Sequence, residues 1–213
     1  MIRYIVFLLL LFVNTVFSQI NKEELTKELS EIDHSLKLGS MKFLSVVMNN
    51  GAASKEAKLF WLDNAVTDSV SVTKASKILE KNGFIDQELV GNQLSKVLYK
   101  RILRSGHKTM EKHIDLFFKA FKEGKIKAED YAIYYDTYCV KKGVPQKYGT
   151  QMWQKSKDSK LYFFPIENPE AVDQIRKEEL GLQSLKESFY PWDLNEYQKN
   201  LDKSILFLEE IKG

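Results

Sequence analysis

This sequence predicts a mainly α-helical protein with one small β-hairpin, on three observations. Apolar residues recur at spacings of three and four along most of the 213 positions, the period of a helix with one buried face. Gly, Asn and Ser punctuate these stretches at intervals that suit short and medium helices. Only the stretch from about 148 to 164 carries two short aromatic-rich runs around a polar link, the pattern of a hairpin. The expectation is a single compact domain of about eight helices. A hydrophobic content of 44% and an aromatic content of 12% suit a packed core and exclude a disordered chain.

The first eighteen residues read as an export signal. Arg3 gives the positive end, Ile5 to Val13 the apolar stretch, and Val16-Phe17-Ser18 a cleavage site before Gln19. Asn14 and Thr15 break the apolar run from Ile5 to Phe17, which is short of the roughly 20 residues that span a bilayer. The mature chain, 19–213, is therefore expected to be periplasmic or secreted, with no stable membrane span once the signal is removed. Cys139 is the only cysteine, so no internal disulfide forms and no lipid-carrying cysteine follows the signal. A buried, apolar role suits it.

Asn21 with Glu24 forms a capping box, and Ile20 with Leu25 a staple, so a first helix starts there. Leu25, Leu29, Ile32 and Leu36 are its stripe, and Gly39 is expected to stop it. Asn49-Asn50-Gly51 reads as a turn, and Ser54 caps a second helix bearing Leu59, Leu62 and Val66. A third, with Val72, Ala75 and Leu79, ends at Asn82-Gly83. Val90, Leu94, Val97, Leu98 and Ile102 define the next, with Lys96, Lys100 and Arg104 turned outward. Ser105-Gly106-His107 breaks the chain before a stripe of Ile114, Phe117, Phe118 and Phe121. Gly124 precedes a helix from Ala128 to Lys142. The hairpin strands are expected at Tyr148–Gln154 and Leu161–Phe164. Asn168-Pro169 should start a helix that Gly181 stops, and Asp193 with Glu196 caps the last.

The formal net charge of +3 gives no signal for nucleic acid. Ten Lys or Arg against three acids between Lys96 and Lys127 read as an ordinary solvated basic face, with attraction of anionic lipid headgroups or other polyanions as the alternative. With no paired His spacing and no second Cys, no metal centre is expected. No phosphate loop, dinucleotide fingerprint or nucleophile elbow is present, and no cofactor is expected.

Three features carry potential chemistry. Asp136 lies on the apolar side of its helix, beside Ala132, Ile133, Cys139 and Val140, where a carboxylate needs donors. It is either a bracket tying the following loop to the core or a catalytic or ligand-binding carboxylate. His107, at a helix break, could pair with Asp136 for acid–base work, or be a plain turn histidine. His34 and His113 have weaker cases. Val144-Pro145-Gln146-Lys147-Tyr148-Gly149-Thr150-Gln151 gathers Gln146, Tyr148, Thr150 and Gln151 in a short segment shaped by Pro145 and Gly149, a ligand-binding loop or a bonded corner. Tyr131, Tyr134, Tyr135 and Tyr138 line one arc of the same helix as Asp136, as core or as a stacking wall for a sugar or aromatic ring.

The chain resembles an uncharacterised bacterial family of unknown function whose members carry a Pro-Gln-x-Tyr-Gly-Thr-Gln motif after a helix. The resemblance runs from about Ile78 to Leu185, through Asn82-Gly83, Val90-Gly91, His107, Asp136, the Gly143–Gln151 run, Pro165–Pro169, Asp173, Arg176 and Gly181-Leu182. Phe84-Ile85 replaces the family's Trp-Pro, and Thr137 stands where relatives carry Arg after the helix Asp. If that Arg holds an anion in relatives, this chain has lost the contact or replaces it with Arg176 or a lysine. The resemblance implies no activity. The leading expectation is an exported domain that binds a small-molecule or envelope partner through a cleft near His107, Asp136 and the 146–151 loop. The alternatives are a hydrolase or transferase using His107 and Asp136 as acid and base, and a purely structural cell-envelope protein.

Overall fold

A computed structural model describes residues 22–50, 55–153, 160–188 and 192–211. The export signal, the Asn21 box, the Ser54 cap and most of the hairpin link lie outside these residues. Among the described residues the fold is mainly α, with eight helices and one two-stranded antiparallel sheet. The chain divides into two compact units, Met1–Ile102 and Leu103–Gly213.

The first unit is built on two long helices, α1 (Lys22–Asn50) and α2 (Lys55–Asn82), which pack against each other. Leu25, Leu29 and Ile32 of α1 are buried, as are Ala75, Ile78 and Leu79 of α2. Gly39 does not stop α1, contrary to expectation. A mid-helix glycine costs only about 1 kcal/mol, and the half-buried Phe43, Val46 and Val47 continue the stripe beyond it. The second and third expected helices are one, α2, since no Gly or Pro separates them. The weak helix former Thr73 satisfies its hydroxyl on the Ser69 carbonyl, 2.9 Å away. Gly83, at φ 70°, ends α2. A single turn, α3 (Gln87–Val90), is capped by Asp86, which accepts from the Glu88 N–H. Gly91 (φ 84°) then delays α4 to Asn92–Leu103, two residues past the expected start. Lys96, Lys100 and Arg104 are exposed as expected. Arg101, counted in the solvated basic run, is instead buried, because it shares a face with Val97 and Leu98.

The far half of α1 leaves Leu38, Met41, Leu44 and Met48 exposed. Met41 and Met48, 61% and 77% exposed, should therefore oxidise first under dilute peroxide, and Met110, 0% exposed, last. Peptide mapping by mass spectrometry reads the order. Oxidation of Met110 as fast as Met48 would contradict this placement.

In the second unit, α5 (His107–Lys122) packs on α6 (Ala128–Lys142). The buried face of α5 is Met110, His113, Phe117 and Ala120. The expected stripe shares only Phe117 with it, and Phe118 is 41% exposed. Phe118 and Phe121 instead lie against Tyr131 at the edge of the pair. Tyr134 fixes the register: its ring packs 4.6 Å from Phe117, and its hydroxyl donates to the Met110 carbonyl at 2.7 Å. Gly143, at φ 76°, closes α6.

The strands β1 (Met152–Trp153) and β2 (Tyr162–Phe163) pair Met152 with Phe163 and Trp153 with Tyr162. The first starts later than expected because Tyr148 and Thr150 bond to Asp136 and not to a neighbouring strand, and its expected end, Gln154, lies outside the described residues. The next helix, α7 (Val172–Leu180), begins later than Asn168-Pro169, which form a turn. The Leu182 N–H bonds the Arg176 carbonyl past Gly181, the expected Schellman-type stop. The last helix, α8 (Leu194–Ile211), starts as expected, with Asp193 accepting from the Glu196 N–H. Phe163, Ile166, Val172, Leu185 and Tyr197 form the core between hairpin, α7 and α8.

Candidate functional site

Asp136 is fully buried and accepts four hydrogen bonds, all from the loop that follows α6. The N–H groups of Lys147 and Tyr148 reach one oxygen at 2.9 Å, and the N–H and hydroxyl of Thr150 reach the other at 2.8 and 2.9 Å. Burial pushes its carboxyl up from the ordinary range, and the bonds from the loop pull it down. Every partner is a donor, so the pocket is shaped for the ionised form.

Gln146, also fully buried, ties the other side of the loop. Its amide nitrogen donates to the Gln151 and Phe164 carbonyls, and its amide oxygen accepts from the Gln151 N–H. Its backbone bonds Pro165 and Glu167, bridging in parallel to Ile166. Tyr148 is 3% exposed. Its carbonyl accepts from Arg176, and its hydroxyl donates to Glu179 at 2.8 Å. Burial first, and then Glu179, raise the Tyr148 phenol. Arg176 is buried and also donates to the Gln183 carbonyl and the Ser188 hydroxyl. That geometry is structural and leaves the guanidinium poorly placed to hold an anion. The Val144–Gln151 segment is thus a bonded corner in which only Thr150 and Gln151 keep partial exposure among the four side chains named for it.

His107 is the first residue of α5 and half-buried. None of the donors to Asp136 comes from it. It stands one turn before Glu111 on α5. Glu111 accepts from the Tyr138 hydroxyl at 2.7 Å and from Lys142 at 2.9 Å, and Lys142 also reaches the Tyr138 oxygen at 2.6 Å. The bonds to Lys142 first, and then to Tyr138, hold the Glu111 carboxyl down. Cys139 is buried, and burial pushes its thiol up to about 12, so it is an inert apolar residue.

Between these two clusters runs a row of aromatic rings that the sequence shows only in part. Tyr131 packs against Phe118 and Phe121, with centres 5.3 and 5.6 Å away. It lies 6.3 Å from Tyr135, which in turn meets Tyr148 at 5.7 Å and Tyr138 at 6.2 Å. Tyr134, counted in the same arc, points instead into the core. Phe118 is exposed, Phe121 and Tyr135 are half-buried, and Tyr131, Tyr138 and Tyr148 lie deeper. Among the described residues, the hydroxyls of Tyr131 and Tyr135 have no hydrogen-bond partner. Phe118 and Phe121 read as core in the sequence because they share helical spacing with Ile114 and Phe117. The signal was the spacing of Tyr131, Tyr135, Tyr138 and Lys142, which places one polar-tipped stripe on α6.

The fold and this face define a helical domain with a hydrogen-bonded corner beside a tyrosine-rich surface. A family of unknown function (DUF6624) matches residues 44–196, and the chain belongs to it. The match is wider than the 78–185 region expected from the motifs and takes in the far end of α1 and all of α2. No curated protein and no solved structure matches the chain. Among the described residues, no helix is long and apolar enough to cross a membrane, and no acidic, His or Cys cluster is arranged for a metal.

Proposed function

We propose that this is an exported binding domain that holds a small-molecule or envelope partner on the aromatic face of α6, with Tyr135 at its centre. One observation carries the reading: a connected row of rings, exposed at Phe118 and half-buried at Phe121 and Tyr135, with two tyrosine hydroxyls unclaimed by the fold. Open rings beside free hydroxyls offer a ligand both area and hydrogen bonds. The bonded corner supports this face by fixing Tyr148, and with it Lys147, under the end of the row. In this reading Asp136, Gln146, Tyr148 and Thr150 position the surface, and Gln151 stands at its margin.

The hydrolase or transferase reading has less support. It pairs His107 with Asp136, yet both oxygens of Asp136 are occupied by loop donors.

A thermal-stabilisation screen tests the proposal with four classes of compound: neutral saccharides, aromatic acids, quaternary amines and short peptides. At least one class should raise the melting temperature of the wild type and leave Tyr135→Ala unmoved. Since Tyr135 is half-buried, the unliganded variant should lose only about 1–2 kcal/mol. Stabilisation by no class, or equal stabilisation of the variant, would sink the reading.

A further inference from the structure

From the charges that the fold leaves unpaired around the aromatic face, we infer that its ligand is a short peptide of two or three residues with both termini free. This rests on the face being a binding surface, and it names the class that fits. Two lysines beside the rings are neutralised within the fold, Lys142 by Glu111 at 2.9 Å and Lys147 by Glu179 at 2.6 Å. Asp136 is taken up by the corner. Lys122, Asp115 and Glu167 are different: all three are exposed, and among the described residues their side chains make no ion pair or hydrogen bond. Lys122 lies over Phe118 and Phe121, 5.2 and 5.1 Å from the ring centres, which orients its ammonium without neutralising it. Burial is the first cause that raises the Tyr131 and Tyr135 phenols. Asp115 adds to it at Tyr131 and Glu167 at Tyr135, so these acids flank the two free hydroxyls. The face thus has an unpaired cation at its Phe118 end and unpaired acids along its tyrosines. A plain anion would meet the acids and a plain cation would meet Lys122, whereas a zwitterion satisfies both.

The spacing sets the length of that zwitterion. Asp115 and Lys122 are two turns apart on α5, and the lysine stem leans back one turn toward Phe118. The opposite charges are therefore separated by roughly 5–10 Å. A free amino acid carries both its charges on one carbon and cannot span that gap. Two or three residues, at roughly 3.3–3.6 Å each, can. The peptide's carboxylate then meets Lys122 and its ammonium meets Asp115 and Glu167. Its backbone N–H and C=O groups meet the hydroxyls of Tyr131 and Tyr135, which both donate and accept. One side chain can rest on Tyr135, over which no lysine lies among the described residues.

Titration calorimetry on the full mature chain tests this with tripeptides whose central residue is Ala, Leu, Phe or Tyr. Each is used free, N-acetylated, C-amidated and blocked at both ends, beside the single amino acids. At least one free tripeptide should bind, and more tightly than its amino acids. Exposed ion pairs contribute little, so each block should weaken binding about two- to fivefold at low salt. At about 0.5 M salt that difference should shrink. Asp115→Asn with Glu167→Gln should weaken binding of the free peptide and leave its N-acetylated form unchanged. Lys122→Gln should weaken the free peptide and leave its C-amidated form unchanged. All three positions are exposed, so the variants should fold as the wild type does. Tyr135→Ala should weaken every form roughly tenfold, through lost ring contact. Fully blocked peptides that bind as tightly as free ones, or dependence on one terminus alone, overturn the zwitterion assignment while leaving the face as a site. So does stabilisation by saccharides, aromatic acids or amines with no peptide bound. A single amino acid that binds as tightly as its tripeptide overturns the length. Peptide binding that Tyr135→Ala does not change overturns the placement on this face, and binding of none of these compounds sinks both readings.

Discussion

Asp136→Ala is expected to lower stability by about 3 kcal/mol or more, the largest effect of any single side-chain truncation in the corner. The substitution leaves the N–H groups of Lys147, Tyr148 and Thr150 and the Thr150 hydroxyl without an acceptor in a fully buried place. For a chain of this length that corresponds to a fall in melting temperature of roughly 6–12 °C. Asp136→Asn should fall between. Its amide oxygen serves one side of the loop, but its NH2 group faces a backbone N–H on the other, whichever way it turns. His107→Ala, which removes none of these bonds, should change the melting temperature by no more than about 2 °C. Thermal and urea unfolding of the three variants reads the order. A stable Asp136→Ala would show that the loop is held by something other than this carboxylate.

Gly149→Ala is expected to cost about 2–4 kcal/mol, from left-handed backbone strain together with overpacking. Gly149 has φ 69°, a conformation unfavourable for any residue with a Cβ. The added methyl would lie 2.8 and 3.3 Å from the two terminal carbons of Leu185 and 3.4 Å from that of Ile166. Leu185 is wholly buried, and its N–H is pinned to Asp173 at 2.7 Å, so it has little room to retreat. Leu185→Ala in the same chain should relieve the contact but not the φ. The double variant should therefore be more stable than the sum of the two singles by about 1–2 kcal/mol. Strictly additive losses in chemical denaturation would argue against the clash.

The helices were legible because their apolar spacing is strong and their ends are marked. Gly83, Gly143 and Gly181 all adopt left-handed conformations where stops were expected. Gly39 misled because glycine only weakens a helix, and whether it ends one depends on packing beyond it. The merger of two expected helices into α2 has the same origin: nothing local decides it. In the corner, Asp136 stood out as a charge on an apolar face, and the residue types between Pro145 and Gln151 announced dense hydrogen bonding. The direction of those bonds was not legible. A sequence shows that Gln146 and Tyr148 carry polar groups, but not that those groups turn inward to Phe164, Arg176 and Glu179, positions far along the chain. The aromatic face was half legible for the same reason. The α6 stripe can be read from spacing, whereas the part played by Phe118 and Phe121 depends on which face α5 turns to α6.

The corner also constrains the order in which this chain can acquire its structure. Helices α5 and α6 are neighbours in sequence and can pair on local contacts, cheaply in loop entropy. At that stage Asp136 must still be hydrated, because a bare carboxylate cannot be buried before its donors arrive. The donors sit only 11 to 14 positions away, but the segment bearing them is itself held by Pro165 and Arg176, and Arg176 in turn by Gln183 and Ser188. Dehydration of Asp136 is therefore coupled to the docking of everything up to Ser188. A nascent chain that ends before that point should carry the helical pair with Asp136 still hydrated, and the stretch up to Ser188 completes its burial.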